Sequence, residues 1–168
     1  VATVFSRLPR LVRDLSARLG KRIQIQITGE DTELDKNVLE AIGDPLLHLV
    51  RNSIDHGIEM PDVRTAAGKS AEGTIELQAF HEGGSVHIVI SDDGKGLDMD
   101  RLLHKARNSG LVDTGIELSE EQVHQLIFLP GLSTTDQATD VSGRGVGMDV
   151  VRRNAEKLGG HVAVRSEP

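Results

Sequence analysis

The stretch DPLLHLVRNSIDHG, at residues 44–57, decides the fold of this chain and the position of its candidate site. Asp44 is a good N-cap, Pro45 suits the first position of a helix, and Gly57 can end a helix in a left-handed turn. With about 100° of rotation per residue, the side chains divide into two faces. One face carries Leu46, Leu47, Leu49, Val50, Ser53 and Ile54, and the other carries His48, Arg51, Asn52, Asp55 and His56. The sequence therefore predicts a helix with one face in a core.

The polar face of this helix has two interpretations. His48 and Asn52 are spaced i, i+4, and Asp55 and His56 continue the same line along the axis. A solvated surface is the ordinary explanation for polar residues on a helix. His, Asn and Asp, however, favour a helix less than Lys, Glu or Ala do, which points to a site. The rest of the chain has to decide between the two.

Composition limits the classes of function. A chain of 168 residues can bury the core of one domain, and with only three Phe its core must be aliphatic. The absence of cysteine excludes disulfides, thiolate metal sites and a cysteine nucleophile. The net charge of −7 argues against binding nucleic acid through a large basic field. The sequence has no signal peptide and no apolar run of bilayer length, so we expect a cytoplasmic protein without membrane insertion.

Helical and strand patterns alternate along the chain. Helices are predicted at 5–19, 35–42, 98–109, 119–128 and 149–158 besides the one above, and strands at 22–28, 74–80, 85–90 and 161–165, with 59–73 a loop. The second and third strands form a hairpin. This mixture predicts an α/β fold of two layers, in which 1–168 is one domain fragment, truncated at both ends.

The segment Gly68-Lys69-Ser70 resembles the end of a P-loop. A P-loop needs a glycine five positions before the second one, where this chain has Val63. The phosphate cradle is therefore missing, and we exclude a P-loop.

An acid–glycine turn, Asp92-Asp93-Gly94-Lys95-Gly96, follows the third strand. A buried carboxylate such as Asp92 accepts hydrogen bonds but cannot donate them, so it would pair with an exocyclic amine such as adenine N6 and repel the carbonyl of guanine. Gly94 and Gly96 would let the purine lie against the backbone. The turn thus predicts a nucleobase site.

A second glycine-rich turn, residues 143–148, opens the last helix after a segment, 129–142, that we expect to be the most mobile. Glycines at a helix N-terminus let backbone N–H groups approach a phosphate. The spacing is not a Rossmann fingerprint, because Met148 holds the last required glycine position. Asn52 offers an oxygen to Mg²⁺, and Arg51, His56, Arg101 and Lys105 could supply donors. For Arg101 and Lys105 a solvated helix face is the alternative.

Four segments in order resemble the N, G1, F and G2 boxes of the GHKL nucleotide-binding superfamily: residues 46–59, 92–96, 128–134 and 143–148. The phrases HLVRNSIDHGIE and VSGRGVGMDVV, at 48–59 and 141–151, are similar to the branch of CheA-type chemotaxis histidine kinases. The resemblance implies a Bergerat ATP-binding fold, an α/β two-layer sandwich whose mixed sheet is covered by helices on one face. It also implies ATP and Mg²⁺ as cofactors.

The resemblance implies roles for single residues as well. Asp92 would hold adenine N6, Asn52 would bind Mg²⁺, and residues 143–147 would wrap the triphosphate under a lid. The implied ATP-binding residues are Asn52, Arg51, Asp55, His56, Asp92, Gly94, Gly96, Arg101, Lys105, Ser133, Thr134, Gly143, Arg144, Gly145, Val146, Gly147 and Met148, with His48 and Asn52 catalytic and Asn52 the metal ligand.

His48 stands where hydrolysing members of the superfamily carry the glutamate that activates water. This difference favours transfer to a protein histidine, with His48 either a base or a donor near the phosphates. The implied partners are a histidine phosphotransfer domain of the same protein or of a dimer mate, response regulators, and a chemoreceptor and coupling-protein complex reached through other domains.

Three alternatives to a kinase stay open on the sequence. The first is a hydrolytic ATPase that couples lid closure to conformational change. The second is a nucleotide-sensing module without catalysis. The third is a metal hydrolase that uses His48, Asn52, Asp55 and His56, although this arrangement leaves the glycine turns unexplained.

Overall fold

The computed structural model describes residues 1–130, 132 and 147–167. The chain divides into two compact units, Val1–Lys95 and Gly96–Pro168. Each unit has its own apolar core. Among the described helices, none is long and apolar enough to cross a lipid bilayer.

The first unit contains a mixed three-stranded sheet. Its elements are α1 (Ala2–Phe5), α2 (Leu8–Leu19), β1 (Ile23–Thr28), α3 (Lys36–Asn52), one π-helical turn (Ser53–Gly57), α4 (Pro61–Ala66), β2 (Gly73–Glu82) and β3 (Ser85–Asp92). β1 pairs with β2 in parallel, and β2 pairs with β3 antiparallel. The predicted mixed α/β fold is confirmed.

Helices cover one face of this sheet. Alternate residues of β2 are buried, namely Ile75, Leu77 and Ala79. They belong to one apolar cluster with helical residues: Phe5, Leu8 and Val12 from the N-terminal helices, Leu46, Val50 and Ile54 from α3 and its π turn, and Ile58. The opposite face is mostly polar, apart from exposed Phe80 and Val89, and there Gln24 of β1 donates a hydrogen bond to Thr74 of β2. The two-layer arrangement follows from this alternation.

The helix of the opening stretch is longer than its sequence predicts. α3 runs without a break from Lys36 to Asn52 and includes Pro45, and its N-cap is Asp35, whose carboxylate accepts a hydrogen bond from the Asn37 amide. The predicted boundary at Gly43 and Asp44 is therefore wrong. Pro45 is buried in the core beside Leu46 and Val50. Tertiary packing of this apolar face outweighs the one backbone hydrogen bond that a proline removes.

The end of this helix also differs from the prediction. The chain widens into the π turn, closed by a hydrogen bond from the Ile58 amide to the Ser53 carbonyl (2.8 Å), and it leaves in extended conformation at Ile58 (φ −78°). Gly57 has no positive φ, so its predicted left-handed turn is wrong. Lys21, two residues before β1, donates from Nζ to the carbonyls of Ile54 (2.5 Å) and Asp55 (3.0 Å). The ammonium group thus satisfies two carbonyls that the widened turn leaves open.

The hairpin between β2 and β3 is confirmed, with Gly83 (φ 58°) and Gly84 (φ 80°) as its two turn residues. Positive φ at both positions is typical of a tight hairpin turn, which glycine adopts without steric cost. The predicted loop at 59–73 contains α4, so that expectation is only partly right.

The second unit contains α5 (Met99–Asn108), α6 (Glu120–Gln125), a 3₁₀ turn (Leu126–Phe128) and α7 (Met148–Lys157). The predicted helices are confirmed, and Ser119 and Gln122 form the capping box of α6. The predicted strand at 161–165 is wrong, since residues 161–167 have no regular structure. A strand needs a neighbour for its backbone hydrogen bonds, and among the described residues this segment pairs with none.

We expect Lys21→Met to lower the free energy of unfolding by about 1.5 kcal/mol, the lower value for hydrogen bonds to a charged group. The side chain keeps its length, but two carbonyls of the π turn lose their donor. Urea unfolding followed by circular dichroism measures the change. The matched control is Lys36→Met, which removes an exposed lysine 3.8 Å from Glu40 and should cost less than about 0.5 kcal/mol. Equal losses in both variants would show that Lys21 does not stabilise the turn.

Candidate functional site

The polar face of α3 brings His48 and Asn52 into direct contact. Their side chains lie one helical turn apart, with 3.1 Å between Asn52 Nδ2 and His48 Nε2. Both residues are half-buried, because the opposite face of α3 carries buried Leu46 and Val50. The pair is therefore held by the core-packed helix.

The pKa of His48 decides which atom of Asn52 stays available. Burial lowers this pKa below the ordinary value of 6.5, and the positive charge of Arg51 lowers it further. A neutral imidazole can accept a hydrogen bond at Nε2, and the Asn52 amide then donates it. The Oδ1 atom of Asn52 has no hydrogen-bond donor within the described part of the chain. A neutral oxygen of this kind fits Mg²⁺, which keeps several waters and takes few protein ligands.

Asp55 and His56 lie on the π turn and not on a regular α-helix. Because the turn contains an extra residue, their side chains are rotated from the positions that α-helical spacing gives. Asp55 is half-buried, whereas His56 and Arg51 are exposed. The single polar line expected from the sequence thus bends at its C-terminal end.

Asp92 is the last residue of β3 and lies opposite Ile75 of β2. Residues directly opposite each other in a sheet share a face, so Asp92 lies at the rim of the helix-covered face. Its side chain is exposed, and the expectation of a buried carboxylate is wrong. The reason is local: the neighbour on that side is Gly57, which has no side chain to cover it.

The acid–glycine turn packs directly against the end of the π turn. A Cβ on Gly57 would lie 3.2 Å from both carboxylate oxygens of Asp92, and one on Gly94 would lie 2.3 Å from the Gly57 carbonyl oxygen. The Lys95 amide donates to that carbonyl (3.0 Å). The polar helix end and the acid–glycine turn therefore meet. The contact requires glycine at position 94 and leaves little room for a side chain at Gly57.

The second unit holds the other predicted site residues that the structure describes. Arg101 and Lys105 lie one turn apart on α5, beside a shallow depression of about 260 Å³. Gly147 is the N-cap of α7 and Met148 its first residue, so a glycine does open this helix as predicted. Gly96 has a φ of 69°, and the space that its side chain would need is taken by Ser166 and Glu167. Ser133, Thr134, Gly143, Arg144, Gly145 and Val146 lie outside the described residues.

Sequence reasoning missed Arg64 and Lys69. Both contact the acid–glycine turn, but the segment that carries them reads as a loop. The available signal was Pro61, a residue favoured at the start of a helix, followed seven positions later by Gly68.

The metal-hydrolase alternative has no support in the geometry. Among the described side chains, no group of three or more His, Asp or Glu is placed to hold a metal ion. This arrangement differs from the compact sets of imidazole and carboxylate ligands that zinc sites use.

Comparison with known proteins identifies the family. Residues 41–168 match the model described as histidine kinase-, DNA gyrase B-, and HSP90-like ATPase. The chain belongs to this ATPase family. The chain is 54% identical to the chemotaxis protein CheA of Salmonella typhimurium, over 98% of the chain and 24% of that protein. It is 49% identical to CheA of Bacillus subtilis, over 99% of the chain and 25% of that protein. It is 50% identical to the sensor histidine kinase CheAY of Helicobacter pylori, over 99% of the chain and 21% of that protein. The chain spans about a quarter of their length.

The environment of His48 gives a testable pH dependence. We expect Arg51→Gln to raise the pKa of His48 toward 6.5, because the substitution removes a positive charge that disfavours the imidazolium. Burial persists, so the pKa should stay below that value. An NMR titration of the His48 ring measures the change. The control Arg10→Gln removes an equal charge from the exposed surface of α2 and should leave the pKa of His48 unchanged. A lower pKa in Arg51→Gln would contradict the assignment.

Proposed function

We propose that the chain is the ATP-binding domain of a cytoplasmic chemotaxis-type histidine kinase, which transfers the γ-phosphoryl group of ATP to a histidine on a separate phosphotransfer domain. The phosphoryl group would then pass to a response regulator. One observation carries the proposal. The Asp92 carboxylate lies against Gly57 at the end of a polar helix, and within the described residues its Oδ2 atom accepts no hydrogen bond.

An ionised carboxylate in this position can read adenine. Its Oδ1 accepts from the Gly94 amide (3.0 Å), which fixes the orientation of the group. Oδ2 can then accept from the exocyclic amine of adenine, whereas guanine would present a carbonyl there. Bonds that involve a charged group are typically worth about 1.5–3 kcal/mol, enough to select between the two bases.

The phosphate end would use Asn52. Mg²⁺, when bound, would neutralise charge on the triphosphate, and Asn52 Oδ1 is the atom that would hold it. Within the described residues no side chain caps the first turn of α7, and a helix start of this kind can bind a phosphate through its backbone N–H groups. Catalysis would then consist of positioning and charge neutralisation.

His48 favours phosphoryl transfer over hydrolysis. A hydrolytic ATPase needs a base that activates water, and carboxylates serve that role in the gyrase and Hsp90 branches. His48 is neutral, and its Nε2 is taken by Asn52 in this structure. The similarity to CheA proteins along nearly the whole chain supports the same choice. Partners beyond the phosphotransfer domain, including chemoreceptors and a coupling protein, would be reached through other domains.

We expect Asp92→Asn to weaken ATP binding by about tenfold or more, because the base loses a charge-assisted acceptor. The fold should persist, since the side chain is exposed. Isothermal titration calorimetry measures the affinity. Glu76→Gln removes the same charge from the polar face of β2 and should bind ATP as the parent does. Unchanged affinity in Asp92→Asn would remove the adenine assignment.

Phosphoryl transfer itself is tested with γ-labelled ATP and an added histidine phosphotransfer domain. We expect label on the added domain with the parent chain and with Glu76→Gln, and a strong reduction with Asp92→Asn. ATP turnover without labelled acceptor would favour the hydrolytic ATPase instead.

A further inference from the structure

The side chain of Arg64 is a buried cation, with only 1% of its surface exposed. A cation out of water needs compensation by several partners, and Arg64 has five hydrogen bonds. Three go to backbone carbonyls, of Ser70 (2.7 Å), Glu72 (3.4 Å) and Asp93 (3.1 Å). Two go to carboxylates, of Glu59 (3.0 Å) and Asp93 (2.8 Å). Arg64 therefore ties the chain after the π turn to the acid–glycine turn.

Lys69 acts on the same turn from the other end of the loop. After α4 the backbone reverses at Gly68 (φ 77°), and the Lys69 ammonium then reaches the carbonyls of Asp93 (3.1 Å) and Gly94 (2.8 Å). It also contacts the second carboxylate oxygen of Glu59 at 2.8 Å. The segment that resembled a P-loop thus binds carbonyls of its own chain.

Glu59 joins the two cations. Burial raises the pKa of its carboxyl group, but hydrogen bonds from Lys69, from the backbone and from Arg64, together with the charge of Lys69, outweigh burial and hold this pKa below the ordinary value. Glu59 is therefore ionised at neutral pH and keeps both cations in place.

The two acids of the turn, Asp92 and Asp93, have different environments. Asp93 is engaged on both carboxylate oxygens, by Arg64 and by the Thr74 amide (2.8 Å). Asp92 has a single partner, the Gly94 amide, within the described chain. Since the carbonyls of Asp93 and Gly94 are held by the two cations, the backbone after Asp92 has little freedom to turn its carboxylate away from the site.

We propose that Arg64 and Lys69 are positioning residues for adenine recognition: they fix the Asp93–Gly94 backbone so that the Asp92 carboxylate faces the exocyclic amine of the base. This inference rests on the proposed function, because it assigns the device that orients the base-reading group. Neither residue would contact the nucleotide.

The test compares ATP with inosine triphosphate, which carries a carbonyl in place of the exocyclic amine. Asp92 should make the parent chain prefer ATP by about tenfold or more. We expect Lys69→Met and Arg64→Lys to reduce this preference by about threefold to tenfold, because a misoriented carboxylate loses the bond to the amine but not the triphosphate contacts. Calorimetry gives the affinity and the binding stoichiometry for each nucleotide.

The preference ratio separates positioning from general destabilisation. A variant that is only less folded loses binding stoichiometry for both nucleotides and keeps the ratio of its affinities. Lys36→Met and Arg10→Lys, at exposed surface positions, are matched controls and should keep the parent ratio. Lys69 is more exposed than Arg64, so Lys69→Met decides the question if Arg64→Lys does not fold.

An unchanged ratio in folded Lys69→Met would overturn the positioning role while leaving the proposed function intact, provided that Asp92→Asn abolishes the preference. If Asp92→Asn keeps the preference for ATP, or if the parent chain binds neither nucleotide, the proposed function fails and the positioning role with it.

Discussion

The close approach of two backbone segments, at Gly57 and at Asp92–Gly94, is the constraint on which the candidate site depends. A Cβ on Gly94 would overlap the Gly57 carbonyl oxygen at 2.3 Å, whereas a Cβ on Gly57 would lie in tight contact, 3.2 Å, with the Asp92 carboxylate. A bulkier residue at position 94 would force the β3 end away from the π turn and separate the carboxylate from the polar helix. The two glycines therefore matter here for the space they leave and not for an unusual φ.

Lysine and arginine side chains maintain this approach from both sides. Lys21 binds the carbonyls of the π turn, while Arg64 and Lys69 bind those of the acid–glycine turn. A buried arginine stabilises a fold little compared with apolar packing, and breaking such a pair costs about 3–5 kcal/mol. The geometry that it imposes is specific, because the planar guanidinium group needs its acceptors in fixed directions. The charges thus determine how the turns are oriented more than they add to stability.

Part of the fold and of the site was predictable from local patterns. The alternation in β1, the hairpin glycines and the capping box of α6 are properties of short stretches, and the structure contains all three. The prediction of a strand at 161–165 was wrong. Alternation of polar and apolar residues shows which face would be apolar, but it does not show whether a partner strand exists. The predicted helix boundary before Pro45 was wrong for a related reason. Burial of α3 in the core outweighs the local helix-breaking signal of the proline, and the helix continues through it.

The sequence by itself determined the family, the order of the four boxes and the residue types that can read a purine, because these depend on spacing and chemistry along the chain. Only the tertiary structure decided that Asp92 is exposed, that Asp93 is engaged by Arg64, and that Asn52 is oriented by a neutral His48. Such pairings join residues up to 29 positions apart. Which of two adjacent carboxylates remains available is set by those distant partners, and local sequence carries no record of them.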